Sequence, residues 1–231
     1  MTTASYEQRR GELETYFDRT ASQAWARLTS DAPVSGIRAT VRAGRDCMRK
    51  TLLSSLPQDL RDARILDAGC GTGALAVEAA LRGAQVVAVD LSETLVSLAR
   101  ERTPPIPGPG RLQFIVGDMA EYRGHFDYTV AMDSLIHYPA EDFVRVLGQL
   151  ATHTRHRLAF TFAPRTPLLS AMHCVGRLFP RGNRAPAIEP VSQGNLRRLI
   201  AEDLGMRGWR EHRAELVKTA FYISHAMVFG R

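Results

Sequence analysis

The segment Leu66-Asp67-Ala68-Gly69-Cys70-Gly71-Thr72-Gly73 places glycine at every second position between a short apolar run and a helical stretch. A chain that leaves a strand and enters a helix there must turn sharply, and glycine permits that because it has no Cβ. The same absence lets a ligand approach the backbone. The helix start behind the loop offers free N–H groups to polar ligand atoms. The spacing G-x-G-x-G differs from the G-x-G-x-x-G of dinucleotide enzymes, and no Lys-Ser/Thr follows as in a phosphate-binding P-loop.

Around this loop the chain alternates. Apolar runs at 65–68, 85–89, 112–116, 128–132 and 157–162 are separated by helical patterns at 74–82, 92–102 and 140–151. Such alternation predicts βαβ units and a parallel sheet, an α/β fold. Upstream, 4–28 reads as one helix, Asp31–Gly36 as a break and 37–56 as a second helix, with Val41, Met48, Leu52 and Leu53 on one face. We divide the chain into an N-terminal helical arm or lid over 1–56 and a core over 57–231. Residues 164–191 interrupt the alternation and read as a substrate-side insertion. Ser192 caps a helix running to about Leu204, and 206–215 and 217–229 read as the last strands.

The second strand ends in Val89-Asp90-Leu91, where an acid can accept hydrogen bonds from both hydroxyls of an adenine-linked ribose. The third leads into Gly117-Asp118-Met119. There Asp118 would reach the exocyclic amine of adenine and Met119 would pack on its ring. D-A-G-C-G-T-G, then V-D, then G-D-M resembles the class I S-adenosylmethionine-dependent methyltransferases across about residues 60–163. The resemblance implies a Rossmann-like sheet of about seven strands, mostly parallel with the last antiparallel. It assigns Asp67 to the loop or the methionine amine, Gly69 and Gly71 to the methionine portion, Asp90 to ribose and Asp118 to adenine. Cys70, Leu91, Met119 and Asp133 complete the expected donor contacts, with S-adenosylhomocysteine as the product.

The acceptor side follows strand four, in Met132-Asp133-Ser134-Leu135-Ile136-His137-Tyr138-Pro139. It lacks the N/D-P-P-Y/F pattern of amino-methylating enzymes of nucleic acids. A nucleic-acid acceptor is therefore disfavoured despite a formal charge of +6. That charge suits an anionic small molecule or a peripheral contact with an anionic membrane. No apolar run approaches the ~20 residues of a membrane span, and the start lacks the apolar stretch of a secretory signal. Cys47, Cys70 and Cys174 form no C-x-x-C pair, so a reducing cytoplasm is expected and a protein-bound metal is not.

Tyr16-Phe17-Asp18-Arg19, Trp25-Ala26-Arg27-Leu28, the stretch Ile37–Arg45, Asp133–Tyr138 and Phe160–Pro167 together resemble the magnesium-protoporphyrin IX methyltransferases nearly end to end. The resemblance implies methylation of one propionate of magnesium protoporphyrin IX in bacteriochlorophyll synthesis. Magnesium is then carried only by the substrate, which is handed over from the magnesium chelatase large subunit. Where that pattern has an aromatic after Trp-x-Arg, this chain has Leu28-Thr29, so Tyr16 is the nearest phenol and a catalytic candidate beside His137. Substrate candidates are His137, Tyr138, Arg38, Arg42, Arg165 and Arg181. Arg38 and Arg42, one helical turn apart, should face together. Two rivals stay open: a methyltransferase for another small carboxylic acid or phenol, and a non-catalytic tetrapyrrole carrier.

Overall fold

The structure is a computed structural model that describes residues 3–20, 25, 27–29, 33–34, 36–165 and 188–231. Its centre is a seven-stranded sheet in the order β3-β2-β1-β4-β5-β7-β6. The strands are β1 (Arg64–Ala68), β2 (Gln85–Asp90), β3 (Arg111–Val116), β4 (Phe126–Ala131), β5 (Thr154–Phe162), β6 (Arg210–Lys218) and β7 (Ile223–Gly230). β1 to β5 run parallel, and β7 runs antiparallel between β5 and β6. The α/β sheet thus forms as the alternation implies, and its one antiparallel strand as the resemblance implies.

Parallel strands need cover on both faces. Successive residues of β1 point to opposite sides: Ile65 enters one core and Leu66 the other. The first core is covered by α2 (Gly36–Ser54) through Met48, Leu52 and Leu53, and by the alanine-rich α3 (Ala74–Leu81). The second holds Phe143, Leu147 and Leu150 of α5 (Ala140–Thr152) and Leu196 and Ile200 of α6 (Gln193–Glu202). α4 (Glu93–Arg102) begins at Ser92, whose Oγ accepts from Leu95 N–H at 3.1 Å. The Ser192 cap also forms, its Oγ accepting from Asn195 N–H at 3.3 Å.

Three boundaries differ from expectation. α1 (Ala4–Thr15) ends early, and Tyr16–Thr20 form one π turn rather than further α-helix. Such turns recur at functional sites, and here Asp18 Oδ1 accepts from Ser92 Oγ at 2.5 Å and Thr94 N–H at 3.1 Å, fastening the N-terminal segment to the start of α4. α6 stops at Glu202 because Leu204–Met206 form a 3-10 turn capped by Asp203. The last hairpin turns at 219–222, closed by Thr219 N–H to Tyr222 O at 2.8 Å, not near residue 216. β6 is a mostly exposed edge strand, so no buried alternation marks its end.

At the C-terminal edge of the sheet, β1 lies between β2 and β4, and the chain reverses its direction of travel across the sheet there. Open α/β sheets bind ligands in the crevice at such a point.

Candidate active site

A cavity of about 330 Å³ fills that crevice, the size of a small-ligand site. Its floor is the glycine loop. Gly69, Gly71 and Gly73 all have positive φ, at 84°, 54° and 80°. A Cβ at Gly69 would lie 2.2 Å from Cβ of Ser134. Ser134 Oγ donates to Ala68 O at 2.7 Å, so the loop after β4 locks onto the loop after β1.

Asp90 clamps the glycine loop. Its Oδ2 accepts from Gly71 N–H at 2.7 Å and its Oδ1 from Ser92 N–H at 3.0 Å. Burial pushes this carboxyl above its usual range, and the N–H bonds oppose the shift. A carboxylate has about four lone-pair sites, so acceptor capacity remains for ribose hydroxyls. Asp67 is 1% exposed, and its Oδ2 has no hydrogen-bond partner. Burial, then the charge of Asp90, push its carboxyl up to about 7. An unpartnered buried acceptor of this kind calls for a cation or an N–H donor, and the ammonium of a methionine moiety supplies one. The donor's amine, ribose and adenine therefore each have a fitting partner in Asp67, Asp90 and Asp118.

Asp118 and Met119 line the same cavity, as do Cys70 and Leu91. Burial pushes the Cys70 thiol well up, so it is not a poised nucleophile. Asp118 is already partly engaged. Its Oδ1 accepts from Tyr6 Oη at 2.6 Å and Ala120 N–H at 2.8 Å. Arg10 Nη1 lies 3.4 Å from its Oδ2.

Asp133 joins the same cavity. Its carboxylate accepts from Arg45 Nη1 at 2.7 Å, Tyr222 Oη at 3.0 Å, Thr161 Oγ1 at 3.1 Å and Ser224 Oγ at 3.2 Å. It is held at φ 53°, in the left-handed region. These bonds tie the loop after β4 to α2, β5 and β7. Arg45 also stands over the Trp25 ring, its Cζ 4.9 Å from the centroid, and both line the cavity.

His137 ends the 3-10 turn Leu135–His137 and lines the cavity beside Tyr138, with Phe17 edge-on at 6.2 Å between ring centroids. Tyr16 is half-buried against Phe17, and among the described residues it is Phe17 that lines the cavity. Tyr138 is buried and stacks on Tyr6. Arg42 lines the cavity with its guanidinium bonded to the carbonyls of Leu28 and Arg27 at 2.9 Å each. Arg38 is exposed and does not join it there, because successive turns of α2 carry the two to different surroundings. Arg165 is exposed, and Arg181 lies outside the described residues. The two ends of the insertion meet in a parallel bridge, Pro164 to Val191. Glu189 N–H donates to Ile136 O at 2.8 Å, so the insertion is rooted beside the His137 turn.

Sequence reasoning missed Tyr6, Arg45 and Tyr222 as builders of the site. Arg38, Arg42, Arg45 and Arg49 recur at helical spacing, a signal that could have singled out Arg45. Nothing local marks Tyr6 or Tyr222.

The chain is similar to known proteins along nearly its whole length. A family model described as magnesium-protoporphyrin IX methyltransferase C-terminus matches residues 131–231, and a methyltransferase-domain model matches 65–157. The chain is 47% identical over 228 residues to a magnesium-protoporphyrin O-methyltransferase of Rhodobacter capsulatus, with 98% of each chain covered. It is 29% identical over 215 residues to the protein of that name from Synechocystis sp., with 92% of each covered. The crystal structure of magnesium protoporphyrin IX methyltransferase from Synechocystis PCC 6803 with bound SAH (S-adenosylhomocysteine) superposes with a TM-score of 0.80 at 26% identity. The match covers 96% of this chain and 99% of that one.

Proposed function

The chain belongs to the magnesium-protoporphyrin IX methyltransferase family, and we propose from that premise how its own residues divide the work. The reaction moves a methyl group from S-adenosylmethionine to a propionate carboxylate of magnesium protoporphyrin IX, giving the monomethyl ester in (bacterio)chlorophyll synthesis. The observation that carries the assignment of roles is the convergence of Asp67, Asp90 and Asp118 on one cavity floored by the glycine loop.

A propionic acid has an ordinary pKa near ~4, so the acceptor is an anion at neutral pH and needs no general base. The sulfonium supplies the methyl group as an electrophile. Asp67 holds the amine, Asp90 the ribose and Asp118 the adenine. Leu13, Phe17, Trp25 and Met132 wall the cavity and keep water away from it. Anion and cation partly neutralise each other as the methyl moves, so a water-poor site favours the transfer over bulk water. Alignment of oxygen, methyl and sulfur can supply up to ~7–11 kcal/mol.

His137, on the acceptor side, binds the propionate or the fifth position of the substrate magnesium. Hydrogen bonds to charged groups are worth about 1.5–3 kcal/mol, so His137→Ala should lower kcat/KM roughly tenfold or more. Unchanged affinity and rate would dismiss both roles. The finer features of the reading are the ring C propionate as acceptor, hand-over from the magnesium chelatase large subunit, and a cytoplasmic protein touching an anionic membrane surface. The family resemblance supports the first two and the +6 charge supports the third. No helix among the described residues is long and apolar enough to cross a membrane.

Mass spectrometry of magnesium protoporphyrin IX incubated with protein and donor tests the assignment. The product should carry one added methyl group, and its absence from a folded, donor-binding protein would overturn the reading.

A further inference from the structure

Tyr6 lies outside the cavity, yet its phenol closes a hydrogen bond on the cavity's own carboxylate. The residue is on α1, is 1% exposed, and stacks on Tyr138 with ring centroids 4.7 Å apart and planes 18° from parallel. Its hydroxyl donates to Asp118 Oδ1 at 2.6 Å. Ala120 N–H donates to the same oxygen at 2.8 Å. Oδ1 is thereby satisfied, and among the described residues Oδ2 receives only the long contact from Arg10. The carboxylate cannot rotate without breaking two short bonds.

α1 is itself moored from several directions. Thr3 Oγ1 and Ser5 Oγ donate to Asp142 at 2.6 and 2.5 Å, and Arg9 pairs with Glu189 at 3.0 Å. Leu13, one face along, enters the main core. The phenol is therefore delivered to Asp118 by a fixed element, and its ring is trapped by Tyr138, which lines the cavity. A fixed carboxylate oxygen discriminates chemically: it accepts from an exocyclic amine and repels a carbonyl oxygen at the same ring position.

We propose that Tyr6 is a positioning residue for the methyl donor, orienting Asp118 so that Oδ2 meets the base and selects adenine over a 6-oxo purine. The inference rests on the reading of Asp118 as the adenine acceptor, and the experiment separates the two. Tyr6→Phe keeps the stacked ring and removes only the hydroxyl. Dissociation constants are measured calorimetrically for S-adenosylhomocysteine and S-inosylhomocysteine with the wild type, Tyr6→Phe and Asp118→Asn, and steady-state kinetics with S-adenosylmethionine accompany them.

The wild type should prefer the adenine compound strongly. Asp118→Asn should collapse that preference, because an amide can turn its NH2 toward the 6-oxo group. Tyr6→Phe should raise the donor KM roughly tenfold, the low end for a hydrogen bond to a charged group. It should shrink the adenine preference by a similar factor and leave kcat within about twofold. Preference retained in Asp118→Asn would overturn the adenine reading and the inference with it. Preference lost in Asp118→Asn but intact in Tyr6→Phe would overturn the role of Tyr6 alone. A fall in kcat or thermal stability of Tyr6→Phe with unchanged base preference would equally overturn it, since a merely structural residue behaves that way.

Discussion

On the β1–β3 side of the cavity, shape comes from the backbone: glycines at positive φ, the helix start behind them, and Asp90 holding Gly71 and Ser92 by their N–H groups. On the β4–β5 side it comes from side chains that arrive from distant parts of the chain. Arg45, Tyr222, Ser224 and Thr161 converge on Asp133. The difference teaches where each half is vulnerable. The donor side should suffer from adding an atom to a glycine, and the acceptor side from removing a single hub.

The largest effect should follow loss of that hub. Asp133→Ala leaves Arg45 and the Tyr222 hydroxyl without their acceptor. The Asp133 side chain is 5% exposed and that of Arg45 22%. Tyr222 is packed so closely on α2 that a Cβ at Gly44 would lie 2.6 Å from its ring. Removing one partner of a largely buried charged network costs about 3–5 kcal/mol, and the partial exposure of Arg45 puts the expectation near the lower figure. Urea unfolding measures it. A loss below about 1 kcal/mol, the size of an ordinary substitution, would mean that the acceptor side is not held at Asp133.

Gly69→Ala should come next and strike the other half. Positive φ costs a side chain of order 1–3 kcal/mol, and the new Cβ would collide with Ser134 as well. We expect S-adenosylhomocysteine affinity to fall roughly hundredfold, about 2.7 kcal/mol, in a protein whose circular dichroism is unchanged. Affinity within threefold of wild type would show that the glycine loop does not shape the donor seat, and the contrast between the halves would fail.

The same contrast explains what could be read from the chain. A backbone-built site is written in consecutive residues. The loop 66–73 and the pairs Val89-Asp90 and Gly117-Asp118 announce themselves, and the alternation around them gives the sheet. A side-chain-built site is written across the whole sequence: Arg45 meets Asp133 across 88 positions and Tyr222 meets it across 89. No periodicity encodes such meetings. Helical spacing pairs Arg38 with Arg42, but spacing says which residues share a face and not what that face meets. The π turn at Tyr16–Thr20 was invisible for a related reason, because Asp18 bonds to Ser92 and Thr94, which no local pattern connects to it.

The smallest predicted effect separates binding from chemistry by pH. Burial and the neighbouring Asp90 raise the Asp67 carboxyl to about 7. A folded-state pKa above the unfolded one favours the protonated protein. The stability that Asp67 contributes without ligand is therefore complete below its ordinary pKa near ~3.9 and is lost as pH rises through about 7. Donor binding has the opposite sign, because the methionine ammonium pairs with the ionised carboxylate. The donor's own amine keeps its proton until ~8. Calorimetric affinity for S-adenosylhomocysteine should therefore rise by about tenfold from pH 5.5 to 7, and Asp67→Asn should flatten the rise. The single-turnover methyl-transfer rate at saturating donor should stay flat over the same window, since the propionate is already ionised. A rate that climbs with a histidine-like pKa would require a base on the acceptor side. A donor affinity indifferent to pH in the wild type would mean that the unpartnered oxygen of Asp67 does not meet the amine.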